Sequence, residues 1–222
     1  MRRWSIVVTL VLGAAALSLA AAVQTVTPLS AAVPRLAPGK LALMNGIGVL
    51  FSRSGIPGGV AAVETCKPPK FVELPPGDST LGASLATILS RVPGYKVGVS
   101  GGVVNVLPAA GVPPLLQTVI AQFDFSGSGQ NAFSKLEGSP EVRSAEIRLG
   151  IREFSFGGLS GSPQSSPKRL QVHLRGASLL DGFNEIVRLQ GNGFWQFSEL
   201  RCGSHDQVTM RLETPLAHGS GQ

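Results

Sequence analysis

Leu81, Leu85, Ile88 and Leu89 stand at i, i+4, i+7 and i+8, and the same interval separates Leu179, Phe183, Ile186 and Val187, and again Leu43, Ile47, Leu50 and Phe51. Each set lines one side of a short helix with apolar side chains. The spacing predicts helices over Leu43–Arg53, Leu81–Arg91 and Leu179–Gln190, with caps from Asp78, Ser79 and Thr80 before the second and from Ser178 before the third. Gly46 and Gly48 weaken the first by about 1 kcal/mol each relative to alanine.

Between the helices the period changes to two. Val60–Glu64 and Phe71–Leu74 read as strands. Tyr95, Val97 and Val99 alternate up to the turn Ser100-Gly101-Gly102, and Val103–Leu107 returns as the second arm of a hairpin. Pro108–Pro114 punctuates the chain. Beyond it come a strand at Val119–Phe125, a short helix over Asn131–Glu137, an alternating strand from Glu146 to Phe156 and a Gly/Ser/Pro loop, Gly157–Pro167. Then follow a strand at Leu170–Leu174, the third helix, and a hairpin over Phe194–Leu212 turning at Gly203-Ser204. Strand, capped helix, glycine break and hairpin thus occur in the same order at 71–107 and 170–212, which points to duplication. The expected fold is α+β: two small, similar domains, each a short mixed or antiparallel sheet with one or two helices on it.

The N-terminal end has a different pattern. Arg2 and Arg3 precede an apolar run from Ile6 to Leu19, and Ala20-Ala21-Ala22 offers a cleavage site, so 1–22 reads as an export signal. The run is slightly short of the ~20 residues that span a bilayer, and an uncleaved membrane anchor is the alternative. The remaining divisions are a flexible lead-in at 23–39, a first module at 40–108, a linker at 109–116, a second module at 117–214 and a disordered tail at 215–222. A periplasmic or secreted location follows from the signal.

Without Arg2 and Arg3 the formal charge falls from +6 to +4, with both signs interspersed. That is an ordinary solvated surface. Its densest basic group, Lys168, Arg169 and Arg175, is the candidate for anionic glycan or lipid of a cell envelope. Nucleic acid is a poor partner for an exported chain with one tyrosine and no basic-aromatic interleaving.

Candidate chemistry is sparse. Gly98-Val99-Ser100-Gly101-Gly102 matches Gly-x-Ser-x-Gly, and a serine hydrolase would need Ser100 to meet His173 or His205. The nucleophile motif, however, requires a strand-to-helix turn, and here a strand follows. Asp181 and Glu185 share a helix face without a second acidic pair. The histidines, His173, His205 and His218, are scattered, the cysteines form no close pair, and no metal or other cofactor is expected. Phe194 and Trp195, with Phe197, form the densest aromatic group. They are either core beneath the third helix or an exposed anchor for a partner, since aromatics dominate interface hot spots. Cys66 and Cys202 are two buried thiols or one disulfide. In an oxidising compartment a bridge between the modules is favoured, and it requires them to pack side by side.

The run VELPPGDSTLGASLATILSRVPGYKVGVSGGVVNVLP resembles the second half of the STN module, which stands at the N-terminal ends of secretins and TonB-dependent receptors. LALMNGIGVLFSRSGIPGGVAAVE is similar to its first half, and VHLRGASLLDGFNEIVRLQGNGFW to part of a looser second copy. The resemblance implies a non-catalytic periplasmic module that docks proteins of the bacterial envelope. It would touch membrane only through an uncleaved N-terminal segment. Neither the partner's identity nor the oligomeric state is legible.

Overall fold

The computed structural model describes residues 27–36, 39–66, 70–75, 77–156, 168–202 and 205–214. The export signal, the Gly157–Pro167 loop, the Gly203-Ser204 turn, His218 and the 215–222 tail lie outside these residues. The first half contains β1 (Ala32–Val33), β2 (Lys40–Ala42), α1 (Leu43–Ser54), β3 (Gly58–Thr65), β4 (Phe71–Glu73), β5 (Ser79–Thr80), α2 (Leu81–Arg91), β6 (Tyr95–Ser100) and β7 (Val103–Pro108). The second contains β8 (Val119–Ser128), α3 (Gly129–Glu137), α4 (Pro140–Leu149), β9 (Ile151–Phe156), β10 (Arg169–Ser178), α5 (Leu179–Gln190), β11 (Phe194–Cys202) and β12 (His205–Glu213). The fold is α+β.

Local chemistry sets the helix limits. Thr80 caps α2 by accepting from the Ala83 N–H at 3.2 Å, and Ser128 caps α3 from the Asn131 N–H. Ser178 and Asp181 form a reciprocal capping box on α5, which ends at Gly191 with φ +85°. The apolar stripes turn inward: Leu43, Ile47, Leu50 and Phe51, Leu81, Leu85 and Ile88, and Leu179, Phe183, Ile186 and Val187 are all buried.

One six-stranded mixed sheet runs through both halves in the order β6-β7-β3-β11-β12-β9. β6–β7 and β11–β12 are antiparallel hairpins, while β7–β3, β12–β9 and the central pair β3–β11 are parallel. Each half also has an antiparallel ribbon, β2–β4 in the first and β8–β10 in the second. With β1 and β5 set aside in the first half and α4 in the second, both halves follow the order strand, helix, strand, strand, helix, hairpin, with equivalent pairings. Val60, Val104, Val106 and Phe194 pack against α1 and α2. Their neighbours Ala61, Val103, Trp195 and Phe197 pack against α3 and α5 on the opposite face. Helices on opposite faces, reversed strand directions and an unchanged strand order relate the halves by a half-turn about an axis lying in the sheet across its strands, combined with a shift of three strands along that axis. The two cores share one sheet rather than having a sheet each.

Three assignments need correction. Glu146–Leu149 is not strand: Pro140 opens α4, Gly150 closes it at φ +73°, and strand begins only at Ile151. The short alternation of Glu146, Ile147, Arg148 and Leu149 hid the helical spacing of buried Val142 and Ala145, and Ile147 points outward at 82% exposure. The lead-in is partly ordered, because β1 pairs with β5 and Val33 and Leu36 are buried beside α1 and α2. Nor is 109–116 a bare linker. Ala109 donates to the Gly94 carbonyl, a 3-10 turn covers Pro114–Gln117, and Leu115 and Leu116 enter the second core.

Candidate functional site

Phe194 and Trp195 do not form an exposed anchor. They stand side by side on β11, a strand with a helical layer on each face, so one ring enters each core. Trp195 is fully buried and its Nε1–H donates to Asn184 Oδ1 at 2.9 Å, which satisfies the indole inside the core. Opposite it on β3 is Gly59, where a Cβ would lie 1.9 Å from the indole. Phe194 packs against Phe51, ring centroids 5.9 Å apart, and a Cβ on Gly48 of α1 would approach it to 2.7 Å. These glycines are sites of close approach, so the helix propensity lost at Gly48 is offset by aromatic packing.

Cys66 and Cys202 form a disulfide with Cα atoms 5.0 Å apart. Cys66 follows β3 and Cys202 ends β11, so the bridge closes the far end of the junction between the halves. A 136-residue separation becomes a local clamp because β3 and β11 are neighbours.

The basic group is largely engaged within the chain. Lys168 Nζ donates to the Leu189 carbonyl near the end of α5 at 2.7 Å, compensating its C-terminal dipole. Arg175 Nη2 bonds Asp124 Oδ2 at 2.8 Å across the β8–β10 ribbon, and His173 Nδ1 meets Asp124 Oδ1 at 2.8 Å. Arg169 is exposed at the start of β10. Hydrogen bonds from Arg175, His173 and Gln122 hold the Asp124 carboxyl well below the usual carboxylate range. The cluster ties together the outer face of the ribbon.

Ser100 and His173 stand on different sheets. Ser100 is exposed at the tip of the β6–β7 hairpin, opposite Val103 at the end of the six-stranded sheet. His173 belongs to the separate ribbon, with one ring nitrogen directed at Asp124. The His205 side chain lies outside the described residues. Asp181 serves in the α5 capping box, and Glu185 pairs with Arg188 at 2.7 Å. Among the described residues no group of three or more His, Cys, Asp or Glu side chains is placed to hold a metal ion.

Two features were missed from sequence. A solvent-open cleft of about 600 Å³ lies between the Pro114–Gln117 turn and α4, with Val119, Ser144 and Arg148 on its walls. Its Glu141 carboxylate accepts from the Ala121 N–H at 3.2 Å. Recognising α4 was the prerequisite for seeing it, and Pro140 with Gly150 was the available signal. The second is Glu137 at the end of α3, an acid buried to 3% exposure whose pKa rises to about 8 through burial and the neighbouring Glu146 charge. No protein family, no curated protein and no solved structure matches the chain.

Proposed function

We propose that this chain is a non-catalytic docking module of the bacterial periplasm, built from two degenerate STN-like copies and presenting its surfaces to envelope proteins. The observation that carries the reading is the twofold use of one element order with equivalent strand pairings. The resemblance to STN modules extends this order to a known docking role. The disulfide is consistent with an oxidising compartment such as the periplasm. The most distinctive polar groups, His173, Asp124, Arg175, Lys168 and Glu141, bond within the chain and hold its shape.

The test is affinity capture from periplasmic extract, with the tagged chain at near-native abundance and its disulfide intact. A specific envelope protein should be recovered, and a chain with reduced and blocked cysteines should capture less of it. Recovery of no envelope protein above a tagged control would overturn the reading. Cleavage of ester or peptide substrates that disappears with Ser100→Ala would overturn its non-catalytic part.

A further inference from the structure

The junction between the halves uses two particular edges, and the chain carries one more of each. In the first half β3 lies beside β7, parallel to it, and offers its outer side to β11. The strand in that position in the second half is β9, parallel to β12. The counterpart of β11, the first arm of a hairpin, is β6. β6 and β9 are the two ends of the six-stranded sheet, and among the described residues no strand lies on the outer side of either.

We propose that these ends join copies of this chain: β6 of one molecule pairs in parallel with β9 of the next, repeating the β3–β11 junction head to tail. Strand directions allow it. β3 and β11 point one way, while β12, β9 and β6 point the other, so β6 and β9 are already parallel and the next molecule extends the sheet by translation along it.

Hydrogen-bond phase supports the same pairing. Ala109 N–H donates to the Gly94 carbonyl at 2.8 Å. In an antiparallel pair, alternate residues bond to the partner strand. Gly94, Lys96, Gly98 and Ser100 therefore bond toward β7, and the backbone groups of Tyr95, Val97 and Val99 face outward. In β11 the same phase directs Trp195 and Phe197 toward β3, as the bond from Gly58 N–H to the Gly193 carbonyl shows. The outer row of β6 is thus the counterpart of the row already used inside the molecule, and an unpaired row of this kind is a template for another strand.

A second copy is the occupant because this chain supplies both complementary edges, in the order and direction in which they already meet once. Since β6 joins β9 rather than another β6, the contact is heterologous and leaves a free edge after each addition. The internal junction is closed by Cys66–Cys202, and there is no free cysteine among the described residues to do the same at β6 or β9. Lys96 is exposed on β6, a charge of the kind that limits edge pairing. The assembly is therefore reversible and grows with concentration. It stands apart from the docking proposal, because a monomer could still capture an envelope protein.

Sedimentation equilibrium of the full chain with its disulfide intact, from micromolar to millimolar concentration, tests it. The weight-average mass should rise through dimer to larger species. Val99→Pro removes one outward N–H, at a residue 46% exposed, while leaving the hairpin bonds in place. This variant should stay monomeric yet keep its β9 edge, so mixed with the unmodified chain it should act as a terminator and lower the average mass. Val99→Lys keeps every donor and adds an edge charge. It should weaken association in the same direction and carries the test if the proline variant does not fold. A chain monomeric at every concentration would overturn the proposal. So would a closed dimer whose mass does not respond to added Val99→Pro, or association unchanged in both variants.

Discussion

Exchanging Glu137 for glutamine removes a carboxyl that the fold holds protonated. Glu137 is 3% exposed and its Oε1 has no hydrogen-bond partner among the described residues. Burial, reinforced by Glu146, lifts its pKa from 4.5 to about 8. Below pH 4.5 the native and unfolded states are both protonated, and this group's contribution to stability is fully present. Between 4.5 and 8 the native state retains a proton that the unfolded state has released, so stability falls as pH rises. The slope is about 1.4 kcal/mol per pH unit, which amounts to roughly 3 kcal/mol by pH 7 and approaches ~5 kcal/mol above pH 8. A loss of that size is a large share of the roughly 5–15 kcal/mol typical of a folded domain.

Urea unfolding of the oxidised chain, followed by the fluorescence of buried Trp195 at pH steps across this window, measures it directly. Wild-type stability should fall with rising pH and the curve for Glu137→Gln should fall much less. Burial also raises the pKa values of Glu146 and Glu213, but both acids remain in the variant, so the difference between the two proteins largely isolates Glu137. The difference should be small at the acid end and favour glutamine by several kcal/mol at the alkaline end, less the cost of burying an amide. A flat difference curve, or one on which glutamine loses ground as pH rises, would refute the reasoning.

Two further outcomes follow from the central junction. Gly59→Ala places a Cβ 1.9 Å from the Trp195 ring, whose Nε1–H is tied to Asn184. It should lower stability by about 2–3 kcal/mol or more, while Gly98→Ala on β6, with nothing within 4 Å, should change it little. Denaturant midpoints for both variants, with Gly59→Ala/Trp195→Phe to detect relief of the clash, check this contrast. Cys66→Ser/Cys202→Ser opens a loop closed across 136 residues and should cost about 5 kcal/mol on the chain-entropy account. Thiol titration of the unreduced, unfolded wild type should find no free thiol, and two free thiols per chain would contradict the clamp.

The helices α1, α2 and α5 were legible because their apolar spacing agreed with local end signals: Gly55 after α1, the Thr80 cap before α2, and both the Ser178 cap and Gly191 around α5. α4 was not: four alternating residues outweighed Pro140, Gly150 and the pair Val142 and Ala145. Arg175 and Lys168 looked like a free basic patch because their partners are distant in sequence: Asp124 lies 51 positions before Arg175, and the Leu189 carbonyl 21 positions after Lys168. The hairpins were readable for the same local reason that made the junction unreadable. β6 meets β7 across a two-residue turn, whereas β3 meets β11 across more than a hundred residues, and no local propensity encodes that pairing. Gly46, Gly48 and Gly59 show the same limit. In a helix or strand viewed alone each is a weakness, and only the neighbouring Val72, Phe194 and Trp195 explain it.

A weaker signal for the junction was nevertheless present, in the loss of alternation. A strand covered on one face alternates, but a strand between two helical layers must be apolar or small on both. Gly58–Ala62 on β3, Val103–Val106 on β7 and Phe194–Phe197 on β11 are unbroken buried runs, apolar or small at every position but Asn105 and Gln196. β6 stands at the end of the sheet and instead alternates half-buried Tyr95 and Val97 with exposed Lys96 and Gly98. The contrast between the related hairpin arms Tyr95–Gly98 and Phe194–Phe197 distinguishes a terminal strand from a central one. If each half were an isolated domain covered on one face, the hairpin arm of the second would have no reason to bury Phe194 as well as Trp195. The consecutive aromatics are explained by the first half packing on the far side of β11, where Phe51 and Gly48 receive Phe194.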